Sequence, residues 1–159
     1  LQHYGTPAQK EYYLQRLATG EEIPCFALTS PVAGSDATSI TDTGIICKGE
    51  FQGKECLGLR LNWNKRYITL APVATLIGLA VHVYDPDRML GEKADIGISV
   101  ILVPANSPGV EQGERHLPLH QAFMNGPIRG ENVFVSLDQV IGGEAMLGKG
   151  WHVLTDSLA

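Results

Sequence analysis

The chain has 159 residues, of which 44% are hydrophobic, so it is long and apolar enough to form one compact domain with a substantial core. Its formal net charge of -5, without a cluster of Lys and Arg to offset it, argues against a nucleic-acid partner. The apolar run 71–83 is too short to cross a bilayer, and the three cysteines lack the spacing of a zinc site or disulfide framework. We therefore expect a soluble protein of a reducing compartment, with no transmembrane segment.

The first predicted element is a short N-terminal helix over about residues 7–18. Thr6 and Gln9 have the Thr-x-x-Gln pattern of a capping box, and a proline stands at the first helical position. Apolar residues then recur on one helical face until Gly20, a residue type that commonly ends helices. We interpret this element as a packing helix.

From residue 24 to about residue 135 the sequence changes to short β-rich runs separated by glycine, proline, asparagine and aspartate. Many short strands without intervening helices predict a mainly β fold, as an antiparallel sandwich or barrel. Residues 75–84 could instead form a buried helix, but the alternation at the end of this run favours a strand. The predicted strands are 25–29, 43–49, 54–62, 65–69, 75–84, 96–103, 110–116 and 132–136, with a loop at 85–87.

Two segments could carry chemistry, although each could also be purely structural. Residues 26–36 read FALTSPVAGSD, a strand end that exposes the Thr29 hydroxyl before a turn of small residues, where backbone N–H groups can approach a flat or phosphorylated ligand. Residues 65–69 read KRYIT, and strand alternation would present Tyr67 and Thr69 on the same face. An aromatic ring there could stack on a heterocycle while the hydroxyl bonds to its edge.

These two segments resemble, in the same order, the ALTEPGAGSD and KxWIT signatures of the acyl-CoA dehydrogenase flavoproteins. The WNKRYIT wording is most similar to the large bacterial fatty-acyl-CoA dehydrogenases. Departures from the family pattern are Ser30 for glutamate, Val32 for glycine, Tyr67 for tryptophan and residues 70–72 for Asn-Gly-Gly. The stretch 133–159, with its Gly-Lys-Gly turn, resembles the family's passage into its C-terminal helical domain.

The resemblance implies a division of the chain into three parts. Residues 1–23 would end the N-terminal helical domain, residues 24–142 would be the antiparallel β-barrel middle domain, and residues 143–159 would be a linker and the start of the C-terminal helix. The chain begins without methionine and ends as a helix opens, which suggests an excised fragment. In the family the catalytic glutamate lies in the C-terminal domain, so no residue of this chain is assigned a catalytic role and the fragment is predicted to be inactive.

For function, the resemblance implies FAD-dependent α,β-dehydrogenation of fatty acyl-CoA to trans-2-enoyl-CoA in fatty-acid β-oxidation. The partners implied are the fatty acyl-CoA substrate, electron-transfer flavoprotein as electron acceptor, and further copies of the protein in a homo-oligomer. The compartment implied is the cytoplasm of a bacterium, or the mitochondrion of a eukaryote. Ser35 is also implied at the acyl-CoA ligand, Tyr67 against the isoalloxazine ring and Thr69 at its reactive nitrogen. The FAD contacts implied are Phe26, Leu28, Thr29, Gly34, Ser35, Tyr67, Ile68 and Thr69.

Other functions remain open or are disfavoured. An acyl-CoA oxidase would share this architecture, and a non-catalytic β-barrel binding or assembly module could have kept the fold and lost the flavin. No metal site is predicted, because Pro118 would disrupt the helix needed to align His116 and His120. Residues 143–149 resemble a Walker A loop, but glycine replaces the Ser or Thr that must follow. The basic group of Arg60, Lys65 and Arg66 is expected to be a solvated strand edge rather than a CoA-phosphate site.

Overall fold

The computed structural model of the chain describes residues 1–158. A curled half-barrel sheet of seven strands forms its centre, and one helix lies at each end of the chain. The prediction of a mainly β fold with a short helix at either end is therefore confirmed. The helices and strands are α1 Pro7–Thr19, β1 Pro24–Ala27, β2 Thr43–Phe51, β3 Lys54–Thr69, β4 Leu76–Tyr84, β5 Asp95–Pro104, β6 Val110–Gln112, β7 Asn125–Ser136 and α2 Gly150–Leu158.

Helix α1 begins and ends where the sequence indicates. The Gln9 backbone N–H donates to the Thr6 hydroxyl at 3.2 Å, and the Thr6 N–H donates back to the Gln9 side-chain oxygen at 3.1 Å. Gly20 ends the helix in the left-handed conformation at φ 78°. The buried Gln9 amide also donates at 2.7 Å to each of the carbonyl oxygens of Asp138 and Val140, which fixes the helix to the chain after β7.

The sheet is built around β4. Strand β5 pairs along the whole of one edge of β4 in the antiparallel sense. Strands β1 and β2 pair in succession along its other edge, both parallel to it, with Ala27 opposite Leu79 and Thr43 opposite His82. These two parallel ladders add to the antiparallel pairs that the sequence predicts, and the residues 28–42 between them leave the sheet. We call residues 28–42 the excursion.

Several strand boundaries differ from the sequence prediction. The two strands expected at 54–62 and 65–69 form the single strand β3. Its pairing with β7 is irregular between Leu61 and Trp63, but the ladder continues on both sides of this point. Strand β7 begins at Asn125, well before the expected residue 132, although its first half is rich in residues typical of turns. Residues 76–84 form a strand, as the alternation indicated.

Two apolar clusters stabilise this arrangement. One fills the inside of the curled sheet, where Leu59, Ile77 and Val133 are fully buried. The other lies on the outer face of β4 and β5, where α1, α2 and the excursion cover Ala80 and Val100. Because the excursion itself packs on the sheet, its position is tied to the core. Among residues 1–158, no helix combines the length and apolar character needed to cross a membrane.

Candidate functional site

The two segments singled out from the sequence meet in the structure. The Arg66 backbone N–H donates to the Thr29 carbonyl oxygen at 3.0 Å. The Arg66 guanidinium also donates to the Pro31 carbonyl oxygen at 3.3 Å. The end of β1 and the end of β3 therefore form one continuous surface, which we call the signature surface and define as residues 26–36 together with 65–69.

A bulge near the end of β3 shapes one half of this surface. Lys65 pairs with Ile128 and Ile68 pairs with Gly126, so Arg66 and Tyr67 form an irregularity in the ladder, and Tyr67 has φ 57°. Arg66, Tyr67 and Thr69 are exposed, whereas the Ile68 side chain is buried in the core. Tyr67 and Thr69 thus both face outward, and Ile68 can meet a ligand only through its backbone.

Tyr67 is an exposed aromatic ring that is held in place from two sides. Its side chain is 56% exposed, the guanidinium of Arg66 lies 5.2 Å from its ring centroid, and the ring of His116 lies 5.3 Å away. These contacts restrict the ring without covering it. A restrained, exposed aromatic ring suits stacking against a planar ligand.

The end of β1 supplies the other half of the surface. Phe26 is 42% exposed while its neighbours Cys25 and Ala27 are buried, so the strand presents the phenyl ring outward. Leu28 and Thr29 follow as partly exposed residues. Burial raises the pKa of the Cys25 thiol to about 12, which leaves this cysteine unsuited to nucleophilic chemistry.

The turn after Thr29 is closed by Ser30, the residue that replaces the family glutamate. The Ser30 N–H donates to the Ala33 carbonyl oxygen at 3.1 Å, and the Ala33 N–H donates to the Ser30 hydroxyl at 3.2 Å. Ser30 is almost fully buried, so it serves the turn rather than a ligand. Val32, which replaces a family glycine, lies at the exposed tip.

Gly34, Ser35 and Asp36 continue the turn at the surface. A Cβ atom added to Gly34 would meet no atom within 4 Å, so this position lies beside open space. The Asp36 carboxylate accepts hydrogen bonds from the hydroxyls of Ser39 and Thr38. The Ser39 bond, followed by the Thr38 bond, lowers the pKa of Asp36.

A buried ion pair, which the sequence analysis did not predict, lies beneath the signature surface. Lys65 was expected at a solvated strand edge, but its side chain is 0% exposed and its Nζ lies 2.5 Å from Oδ2 of Asp42, which is 3% exposed. Burial lowers the pKa of Lys65, and the bond to Asp42 opposes that shift. The alternation of β3 carried a usable signal, because Lys65 continues the inward series Leu59, Leu61 and Trp63.

Two side chains with an unsatisfied polar atom lie beside the signature surface. In the part of the chain that the structure describes, three buried side-chain atoms have no hydrogen-bond partner: Trp63 Nε1, His116 Nε2 and Asn125 Oδ1. His116 contacts Tyr67, and Asn125 stands opposite Thr69 across the β3 and β7 ladder. Buried groups of this kind are rare in native proteins, so the position of His116 and Asn125 beside Tyr67 and Thr69 fits a surface that binds a ligand with polar edges.

The loop after Thr69, which departs from the family pattern, is well anchored. Leu70 has the left-handed φ of 66°, and its N–H donates to the Met124 carbonyl oxygen at 2.8 Å.

Across residues 1–158, no three His, Cys, Asp or Glu side chains lie close enough to hold a metal ion.

Comparison with known proteins identifies the family. The family model described as acyl-CoA dehydrogenase, middle domain, matches residues 25–133. The chain belongs to the acyl-CoA dehydrogenase family. Within that family it is 34% identical to the mitochondrial 2-methylacyl-CoA dehydrogenase of Solanum tuberosum, over 97% of this chain and 34% of the potato protein. It is also 46% identical to protein HemX of Proteus mirabilis, over 50% of this chain and 47% of HemX.

A solved structure with a bound cofactor shares the fold. The structure of PigA with FAD and proline superposes with a TM-score of 0.74 at 28% identity, over 98% of this chain and 36% of PigA. The chain spans about half the length of HemX and about a third of the potato protein and of PigA.

Proposed function

We propose that this chain is the flavin-binding middle region of an FAD-dependent dehydrogenase that introduces an α,β double bond into an acyl-CoA thioester. The observation that carries the proposal is the bond between the Arg66 N–H and the Thr29 carbonyl oxygen, which joins the two family signatures into one surface. PigA, a fold neighbour, binds FAD in its solved structure, and the potato relative is named for a CoA thioester.

The residues of the signature surface suit a flavin. Tyr67 offers an exposed ring for stacking, and Thr29 and Thr69 offer hydroxyls that can bond to polar ring edges. Leu28 and Ile68 contribute through their backbones, and Phe26 adds apolar surface. Gly34 leaves open space beside the exposed hydroxyl of Ser35, which in this proposal serves both FAD and the acyl-CoA.

Bound FAD would supply the hydride acceptor for the β-hydrogen of the thioester. The residues of this chain would hold the ring, exclude water from one of its faces and orient the thioester against it, which is how positioning contributes to rate. The α-proton needs a separate base. Asp36 is bonded to two hydroxyls and has a lowered pKa, and Asp42 is paired with Lys65, so neither suits that role.

We therefore assign the catalytic base to residues outside this chain. The 159-residue polypeptide alone is expected to show no turnover of acyl-CoA in an assay coupled to a dye acceptor. Measurable turnover would contradict this assignment and would require a base within the chain itself.

The finer assignment is a fatty-acid β-oxidation enzyme. Its substrate would be a fatty acyl-CoA and its product the trans-2-enoyl-CoA. Its electrons would pass to electron-transfer flavoprotein, and it would act as a homo-oligomer in the bacterial cytoplasm or, in a eukaryote, in the mitochondrion. The WNKRYIT wording supports the fatty-acyl branch, and the mitochondrial potato relative supports the second compartment.

The test is the absorption spectrum of the natural protein that carries this chain, before and after anaerobic addition of a saturated acyl-CoA. A flavin spectrum that bleaches is the expected result. Rapid recovery of the spectrum in air would favour an oxidase over a dehydrogenase. A protein that stays colourless after incubation with FAD would contradict the proposal and favour a binding module that has lost the flavin.

A further inference from the structure

Lys65 connects the two ends of the excursion. Its Nζ donates to the carbonyl oxygen of Leu28, the first residue of the excursion, at 2.9 Å. The same ammonium group contacts Oδ2 of Asp42, the last residue of the excursion, at 2.5 Å. Leu28 follows the last paired residue of β1, and Thr43 opens β2, so one side chain joins the two points where the backbone leaves and rejoins the sheet.

Asp42 is itself held from two strands. Its Oδ1 accepts from the Asn64 backbone N–H at 2.7 Å, and its carbonyl oxygen accepts from the His82 N–H at 2.9 Å. Asp42 is therefore fixed to β3 through its carboxylate and to β4 through its backbone carbonyl. Lys65 acts from this fixed point on Leu28, whose carbonyl lies beside Thr29.

Burial of this pair needs an explanation. Desolvation of a buried ion pair often exceeds the attraction between its charges, and a well-packed apolar pair of similar volume is frequently as stable. A stability role alone therefore gives no reason to keep a lysine under the exposed turn. The bond to Leu28 is the feature that an apolar pair could not reproduce.

Resting on the function proposed above, we infer that Lys65 is a positioning residue for the flavin. Its ammonium group fixes both ends of the excursion and so holds Thr29 and Ser35 in the geometry that binds FAD. The side chain does not reach the surface, so it acts through Leu28 and not by contact with the cofactor.

The test compares two variants of the natural protein that differ only at Lys65. Asp42→Asn removes the negative charge of the pair, keeps an acceptor for the Asn64 N–H and leaves the Lys65 bond to Leu28. Because it also leaves the buried Lys65 side chain without a counter-ion, its unfolding temperature should fall. Asp42→Asn combined with Lys65→Met removes the bond to Leu28 as well. We expect the first variant to bind FAD within about threefold of the wild type, and the second to bind about tenfold more weakly, as loss of a charged hydrogen bond predicts.

The readouts are the FAD dissociation constant of the apoprotein, from flavin fluorescence, and the unfolding temperature of each variant. A merely structural role would lower the unfolding temperature without a specific loss of FAD. Asp85→Asn is the control for generic loss of a buried carboxylate, because the Asp85 carboxylate accepts from the N–H groups of Met89 and Leu90 in its own turn. It should destabilise the fold and leave the FAD dissociation constant unchanged.

Equal FAD dissociation constants for the two Asp42 variants would overturn the inference while leaving the proposed function intact. A wild-type protein that binds no FAD would overturn the proposed function, and this inference with it. If the methionine variant does not fold, Lys65→Arg in the wild-type background keeps the charge but forces a larger group between Leu28 and Asp42. Weaker FAD binding by that variant supports the inference, and wild-type affinity overturns it.

Discussion

Gly130 lies against the indole ring of Trp63, its partner across the β3 and β7 ladder. A Cβ atom added at Gly130 would stand 2.1 Å from the ring, far inside van der Waals contact. Trp63 is 5% exposed and belongs to the inner core, so the ring has little freedom to withdraw. The absence of a side chain at Gly130 is therefore a packing requirement of the curled sheet.

Gly130→Ala should lower the free energy of unfolding by about 2–3 kcal/mol, the cost of overpacking a rigid core. Gly34→Ala is the matched control, because its new methyl group would enter open space, and it should change stability by less than about 0.5 kcal/mol. Urea unfolding followed by tryptophan fluorescence measures both. Equal effects at the two positions would show that the Trp63 ring can move aside.

Gln9→Ala should destabilise the fold by about 2–3 kcal/mol, because the buried Gln9 side chain would lose its bonds to the carbonyl oxygens of Asp138 and Val140 and its capping bond to the Thr6 N–H. Gln15→Ala, at an exposed position of the same helix, serves as the control and should be within about 0.5 kcal/mol of the wild type. Chemical unfolding monitored by circular dichroism would compare the two. Similar stabilities would mean that the Gln9 side-chain bonds, including the capping bond, contribute nothing measurable to stability.

Tyr67→Ala should weaken FAD binding about fivefold, since aromatic stacking contributes about 1 kcal/mol. Tyr67→Phe keeps the ring and should bind normally. Tyr12 is a comparably exposed tyrosine on α1, at 54% against 56%, and Tyr12→Ala should leave FAD affinity unchanged. Flavin fluorescence titration of the natural protein gives the three dissociation constants, and unchanged affinity in Tyr67→Ala would remove this ring from the binding surface.

Asp36 should titrate below the ordinary aspartate pKa of about 3.9. Ser39→Ala should raise its pKa more than Thr38→Val does, because the Ser39 bond is the larger cause. Since the folded pKa lies below the unfolded one, Asp36 favours the folded state above the unfolded pKa, and this contribution is lost as the pH falls through the folded pKa. Carbon-detected NMR titration of the carboxyl group tests the order, and an ordinary pKa in the wild type would refute it.

Local patterns predicted the elements that depend on local interactions. Thr6, Gln9 and Gly20 marked α1, and the alternating run in residues 75–84 marked β4. The parallel pairing of β1 and β2 on one edge of β4 could not be read from the sequence, because it depends on contacts between distant segments. The early start of β7 was hidden for a similar reason, since pairing with β3 overrides the turn preference of its first residues.

The candidate site shows the same division. The exposed hydroxyls and ring of the signature surface were proposed from two short motifs, and the chain brings those motifs together. Lys65 was misjudged because a lysine between polar neighbours is usually solvated. Its alternation with Leu61 and Trp63 placed it on the inward face, and only the distant Asp42 makes that placement tolerable.

The shared edge of β4 has a consequence for how this protein can vary. Because β1 and β2 pair with β4 one after the other along that edge and in the same direction, together they correspond to a single strand that the excursion interrupts. The excursion can change in length or composition at its exposed tip while β1 and β2 keep their register with β4. Under the proposed function, replacement of Pro31 and Val32 at this tip should alter the contacts with the ligand while the pairing of β1 and β2 with β4 is kept.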